Sequence, residues 1–289
     1  TLSSSSRDES GAMAPSAGKD LSNLTLRIIS ALVLAPVVLA AAYVGDGFFL
    51  FLVGIVVYLL GLEWASISIG RMFGFVPAMV CAGLIGSVAF VGLGHPETAF
   101  IALAVSVAIV SINPTNSPGP SGRRGWLAFG VIFIGTSFVA LLLMRADNQL
   151  GRNFIFWLFA VVWSSDTGAY VFGRAIGGPK LAPNISPKKT WAGFYGGLAS
   201  SALAGACTAV LLEGPSILGL AVFSAVVGFT AQMGDLLESW FKRKFSVKDS
   251  GNIIPGHGGL FDRVDGLMTA VLLCAAVWGL EKDWIARWL

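Results

Sequence analysis

ILGLAVFSAVVGFTAQMGDLLE, residues 217–238, decides the fold. A helix needs about 20 predominantly apolar residues to cross the hydrocarbon layer of a bilayer. This run carries no charge until Asp235 and Glu238 at its far end. Eight further segments come near the same length: 26–44, 48–68, 74–93, 98–112, 126–144, 153–171, 191–212 and 264–281. Inside a bilayer the backbone must satisfy its own hydrogen bonds, which makes helices the default. A lipid-facing barrel would need short alternating segments, and these runs do not alternate. The expected fold class is therefore all-α: a polytopic integral membrane protein with about nine transmembrane helices.

Composition agrees. Hydrophobic residues make up 55% of the 289 and charged residues 12%, against about 25% charged in an average soluble domain. The mean hydropathy is +0.77. Cys81, Cys207 and Cys274 all fall in apolar stretches, match no metal spacing and form no disulfide framework. Residues 1–23 are rich in Ser, Ala and Gly and are expected to form a mobile tail ahead of a transmembrane domain spanning 24–289. The breaks between apolar segments are too short for a separate soluble domain.

Two segments are irregular. The fourth is short and ends at Asn113-Pro114. The sixth begins Phe154-Ile155-Phe156-Trp157, then meets Ser164-Ser165-Asp166-Thr167-Gly168 before apolar residues resume, and reads as an interrupted helix. Neither Asp166 nor Glu63, in the second segment, can face lipid cheaply, so each must meet a cavity, a partner or water.

Lys and Arg orient the chain. With nine spans and a cytoplasmic N-terminus, only Arg145, Arg152, Lys282 and Arg287 of the 19 basic residues fall on the far side. The expected placement is the cell inner (plasma) membrane, with the N-terminus and the charged regions cytoplasmic. The charges gather in two regions, 164–193 and 232–265, where helices emerge from the membrane. A transporter, the alternative class for a chain of this kind, more often hides its key polar groups near mid-membrane in paired discontinuous helices. Charges at helix ends suit an enzyme that joins a water-soluble substrate to a lipid.

Residues 232–265 read QMGDLLESWFKRKFSVKDSGNIIPGHGGLFDRVD. Asp235, Ser239 and Lys242 share one helical face, with Glu238 close to it. A solvated helix end also accounts for 242–244 but explains Asp235 poorly. Glycines in Pro255-Gly256-His257-Gly258-Gly259 permit close backbone approach, and exposed amides of such a turn can cradle phosphate oxygens. The Gly-Lys-Ser/Thr end of a Walker loop is missing. His257 can serve as base or ligand, although its flanking glycines favour a packed or phosphate-contacting turn. Asp262 and Asp265, three residues apart at the start of the last segment, sit where a helix N-terminus stabilises anions. Carboxylates are hard ligands for Mg²⁺, and Asp235 with Asp262, from different helices, makes a better pair than two residues of one turn. A helix cap with interface charges is the bland reading of the same aspartates.

In the other region, Asp166 can bind metal or nucleotide, and Arg174, Lys188 and Lys189 can hold phosphates. Ser186 or Thr190 can instead cap the seventh helix, Trp191 can anchor it at the interface, and the Lys pair also serves as a positive-inside signal.

Taken together these residues resemble the phosphatidate cytidylyltransferases, or CDP-diglyceride synthases. The elements that carry the resemblance are Ser239, Lys242-Arg243, Lys248-Asp249, Gly251, Pro255, His257-Gly258-Gly259, Asp262-Arg263 and Asp265, with Asp166-Thr167-Gly168-Ala169-Tyr170 and Ser186-Pro187-Lys188-Lys189-Thr190 in support. The resemblance covers nearly the whole chain after residue 23. It implies CTP or dCTP and phosphatidate as substrates, Mg²⁺ as cofactor, and an adjacent monovalent ion such as K⁺. It implies metal ligands at Asp235 and Asp262, with Asp166 and Asp265 as nearby candidates. Lys242, Arg243, Lys248 and Arg263 are expected to join the two aspartates in the reaction centre. Arg174, Ser186, Lys188, Lys189, Ser239, Asp249, His257, Gly258 and Gly259 are the expected substrate contacts beside Asp166. The related alternative is a CTP-dependent polyprenol kinase, which transfers the γ-phosphate. Membrane lipids are the expected surroundings, and no nucleic acid is expected as a partner. Gly193-Phe194-Tyr195-Gly196-Gly197 can mark a close helix contact, within the chain or in a homodimer.

Overall fold

The computed structural model describes residues 32–112, 123–146, 148–214, 216–247, 250–251 and 258–280. The tail 1–23, Lys248, Asp249 and His257 lie outside the described residues.

Among the described residues the chain forms nine helices: α1 Leu32–Val44, α2 Asp46–Ile69, α3 Phe75–Gly92, α4 Pro96–Ile112, α5 Arg123–Arg145, α6 Asn148–Ile176, α7 Trp191–Leu211, α8 Ile217–Lys244 and α9 Phe261–Leu280. Each of the nine apolar segments is helical over its described residues, and seven of the helices are long and apolar enough to cross a bilayer. Over their described residues the two shorter apolar helices are α1 and the 17-residue α4. Length and hydropathy support a polytopic all-α membrane protein, with seven such helices among the described residues.

The described chain holds one small sheet. Strands β1 Lys180–Ala182 and β2 Ser186–Thr190 pair antiparallel between α6 and α7. Thr190 then caps α7, its Oγ1 accepting the Gly193 N–H at 3.1 Å. Ser216 caps α8 in the same way through Gly219. At the C-terminal end of α5 the buried Arg145 donates to the carbonyls of Ala42 and Tyr43 at 2.7 and 3.1 Å, satisfying the last carbonyls of α1.

The sixth segment differs from its expectation. The helix α6 runs unbroken through residues 164–168. Its own ladder satisfies the backbone there, and Ser164 returns its hydroxyl to the Val161 carbonyl at 2.9 Å. Ser165 is fully buried and faces the Gly228 carbonyl of α8 at 3.5 Å. Small polar residues therefore form a helix–helix seam instead of a break. The seam continues through Ser201, which donates to the Val161 carbonyl, and Ser224, which accepts from Trp157 Nε1 at 2.9 Å.

α7 packs between α6 and α8, and the 193–197 glycine stretch lies in that contact. A Cβ at Gly197 would stand 2.7 Å from Gln232 Nε2 and 2.9 Å from the Ser165 carbonyl oxygen. The stretch is thus used within the chain, where three helices meet. Gly197→Leu is expected to overpack this junction at a cost of about 1–3 kcal/mol. Thermal unfolding of the purified variant in detergent would read it, and an unchanged midpoint would contradict the packing.

The buried core is aromatic at the end of the bundle that carries the charges. Trp64 is 1% exposed. It stacks on Phe241 at 4.1 Å between ring centroids and 6° between planes, and donates its indole N–H to the Trp126 carbonyl at 2.9 Å. Phe261 and Phe129 complete the contact. This cluster ties α2, α5, α8 and α9 together beside the charged region.

Candidate active site

Two helices deliver the carboxylates. The last turns of α8 carry Asp235, Glu238, Ser239 and Lys242, and the first turns of α9 carry Asp262 and Asp265. The two helices approach closely because Gly234 lacks a side chain: a Cβ there would lie 2.8 Å from the Asp265 carbonyl oxygen. Thr269 locks the crossing by donating to the Thr230 carbonyl at 3.0 Å. As a result, one carboxylate oxygen each from Asp235, Glu238 and Asp265 falls within 4.8 Å of the others.

Lysines interleave with these acids. Lys189, on β2, places Nζ 2.6 Å from Asp235 Oδ2. Lys242 bridges the two helices, with Nζ 2.8 Å from Glu238 Oε1 and 2.8 Å from Asp262 Oδ1. Glu238 and Lys242 are both buried. A buried charge needs a partner, and the bridge supplies one to each carboxylate. Ser239 Oγ stands 3.5 Å from Asp235 Oδ1. The second oxygen of Asp262 accepts the backbone N–H groups of Ser250 and Gly259 at 3.4 and 3.3 Å. Gly258, next to it, sits at φ +82°, a conformation glycine adopts without strain.

The structure therefore gathers most of the sequence-derived residues but arranges them in its own way. Asp235 stands with Asp265 and Glu238, while Asp262 is held by Lys242 and two backbone amides. Asp166, on α6, is exposed and lies within electrostatic range of Asp235, Lys189 and Arg263. Arg243 donates Nε–H to the Ile185 carbonyl at 3.4 Å and so tethers the β1–β2 hairpin to α8. Ser186 pairs with Ala182 in that hairpin, and Lys188 is exposed on it. Arg174, on the last turn of α6, donates to the Tyr170 hydroxyl at 2.8 Å. Arg263 is exposed on α9.

Two acids carry more than their sequence positions indicate. Glu238 was visible only as a neighbour of the Asp235 face, yet it completes the three-carboxylate group. Glu63, 1% exposed on α2, accepts the backbone N–H groups of Leu260 and Phe261, each at 2.8 Å. Its signal in the sequence was an acid inside an apolar run, without a partner in view.

The three-carboxylate group offers hard oxygen donors from two helices, and such donors suit a divalent cation. The oxygens already converge, with Lys189 on Asp235 and Lys242 on Glu238, so the residues fit a divalent ion. Behind Glu238 and Asp265 lies a narrow apolar crevice of about 20 Å³, walled by Trp64, Trp126, Phe129, Phe241 and Phe261. Carboxylates, lysines and an apolar wall thus meet at one end of the bundle.

Fold and site define a polytopic membrane protein whose chemistry sits at the ends of its helices. The profile of the Cytidylyltransferase family matches residues 25–280. The chain is 42% identical over 255 residues to the phosphatidate cytidylyltransferase of Brucella suis biovar 1, covering 88% of this chain and 92% of that protein. It is 38% identical over 270 residues to the phosphatidate cytidylyltransferase of Pseudomonas aeruginosa, covering 89% and 99%. A shorter match to the phosphatidate cytidylyltransferase of Rickettsia bellii is 41% identical over 159 residues, covering 51% of this chain and 67% of that protein. The chain belongs to the phosphatidate cytidylyltransferase (CDP-diglyceride synthase) family.

Proposed function

We propose that the chain transfers the cytidylyl group of CTP, or of dCTP, to phosphatidate, giving CDP-diacylglycerol and pyrophosphate for phospholipid synthesis. The observation that carries this reading is the joining of α8 and α9 carboxylates with Lys189 and Lys242 at one end of a membrane bundle.

A phosphate oxygen of phosphatidate forms a bond to the α-phosphorus of CTP. The bond from that phosphorus to the bridging oxygen of the β-phosphate breaks, and pyrophosphate leaves. A phosphate monoester has its second pKa at about 6, so near neutral pH it is a competent nucleophile without a general base. The obstacle is the repulsion between two polyanions. Mg²⁺, when bound, supplies charge neutralisation and polarises phosphate oxygens. Asp235, Glu238 and Asp265 would hold it, with Asp262 and Asp166 the adjacent carboxylates, and a monovalent ion such as K⁺ would occupy a neighbouring position.

The lysines do the rest of the electrostatic work. Lys189 and Lys242 are each pinned on carboxylates and can turn to substrate phosphates once a cation takes their place. Lys188, Arg174, Arg243 and Arg263 offer further positive charge on the neighbouring elements, and Lys248, Asp249 and His257 belong to the same motif by sequence. The aromatic wall beside Glu238 and Asp265 offers apolar surface at the depth where a lipid headgroup would meet the carboxylates. CTP would arrive from the cytoplasm, with the protein in the cell inner membrane and its N-terminus cytoplasmic, as the distribution of basic residues favours.

The test uses purified protein, phosphatidate vesicles and CTP labelled at either the α- or the γ-phosphate. The α-label is expected in the lipid fraction and the γ-label in pyrophosphate. A γ-label in lipid would instead mark a CTP-dependent kinase, and label in neither product would contradict the assignment.

A further inference from the structure

We infer that Glu63 is a positioning residue for the reaction: its carboxylate fixes the first turn of α9 and so sets where Asp262 and Asp265 stand opposite Asp235. The inference rests on the reading of the site given above and extends it to a helix that contributes no other charged group to the centre.

Glu63 lies on α2 within the membrane-spanning length, 1% exposed. A carboxylate in such a place is expensive and persists where it has a task. Both of its oxygens are committed. Oε1 accepts the Leu260 N–H at 2.8 Å, Oε2 accepts the Phe261 N–H at 2.8 Å, and Ser250 Oγ stands 3.4 Å from Oε2. Leu260 and Phe261 open α9, whose first N–H groups have no partner within the helix. An anion there is further favoured by the helix dipole. The cap is thus supplied from another helix, across nearly 200 residues of chain.

The same carboxylate gathers both ends of the loop. Gly251 packs on it so closely that a Cβ would lie 2.8 Å from Oε1. Ser250, held by Glu63 through its hydroxyl, gives its backbone N–H to Asp262 Oδ2. Asp262 is one residue beyond Phe261 and Asp265 three beyond that, so a rotation or slide of the first turn of α9 would displace both. Trp64, next to Glu63, is locked by Phe241 and the Trp126 carbonyl. The support therefore stands on a rigid wall.

Glu63→Gln keeps the size and removes the charge, and its amide NH₂ must face a backbone N–H donor. Glu63→Asp keeps the charge on a shorter stem. Full-length protein in lipid discs would be assayed for initial rate against Mg²⁺ concentration at saturating CTP and phosphatidate. Amide hydrogen exchange of the 258–264 region would be followed in parallel without substrates. Glu63→Gln is expected to raise the half-activating Mg²⁺ concentration by about 10- to 100-fold, as loss of a support behind a metal ligand does. Exchange at the start of α9 should speed up while the remainder of α9 keeps its protection, and Glu63→Asp should fall between Gln and the native protein in both readouts. A lower rate with an unchanged Mg²⁺ curve would reduce Glu63 to a folding role and overturn the inference. Unchanged exchange at 258–264 would overturn it as well. If Glu63→Gln does not purify as a single folded species, the same two criteria apply to Glu63→Asp alone. Native protein that turns over CTP without a divalent ion would instead overturn the metal reading, and exchange would still decide on Glu63.

Discussion

Asp235→Asn is expected to lower Mg²⁺-dependent CTP turnover by at least about a hundredfold, since changes behind a metal ligand already cost 10–100-fold. Asp235 is the point where the two charged regions of the sequence meet. It shares a carboxylate group with Glu238 and Asp265, and it holds Lys189 at 2.6 Å. Asparagine preserves shape and one oxygen but removes the charge, so it weakens the cation site and frees Lys189 together. The two consequences separate experimentally. Raising Mg²⁺ should recover part of the Asp235→Asn rate if a cation has been lost, whereas Lys189→Met should lower the rate with no such recovery. Near-native turnover by Asp235→Asn at limiting Mg²⁺ would contradict its proposed role.

Lys242→Met should cost the fold about 3–5 kcal/mol, the usual penalty for removing one partner of a buried charge pair. The ammonium stands between Glu238 and Asp262, at 2.8 Å from each. Without it two carboxylates from adjacent helices face each other with no counter-charge. The loss corresponds to a fall in unfolding midpoint on the order of 10 °C for a chain of this size. Fluorescence-detected melting in detergent would measure it. Adding Glu238→Gln to Lys242→Met should return part of the loss, because one of the stranded charges is then gone. A single variant as stable as the native protein would show that the bridge is not what balances these acids. Activity should fall in both variants, since Lys242 is also a proposed phosphate partner.

These outcomes follow from features unequally visible in the sequence. The helices were legible because an apolar run long enough to span a bilayer has few other structures open to it. Whether a run spans was less legible: α4 has a described length of 17 residues. Residues 164–168 misled because Ser, Asp and Gly lower local hydropathy and look like a break. In the structure they are a seam, since a helix satisfies its own backbone whatever its side chains, and small residues let α7 and α8 come close. The β1–β2 hairpin left no signal, because its strands are short and rich in Pro and Lys, without apolar alternation.

The site divides in the same way. Spacing placed Asp235, Ser239 and Lys242 on one face of α8, and Ser239 does stand against Asp235. Which aspartate of α9 joins Asp235 depends on the rotation of α9 about its axis, a quantity that spacing within one helix does not contain. Gly234 and Thr269 set that rotation through contacts between helices. Glu63 was detectable as a misplaced acid, but its partners are backbone amides, which have no side-chain signature to find.

The most direct test of the account is the position of a bound divalent ion. Crystals of the protein grown with Mn²⁺ and CTP would locate it by anomalous scattering. The account predicts a peak between the carboxylates of Asp235 and Asp265, in contact with CTP phosphate oxygens. A peak on residues remote from both aspartates, or CTP bound at full occupancy with no peak beside its phosphates, would contradict it.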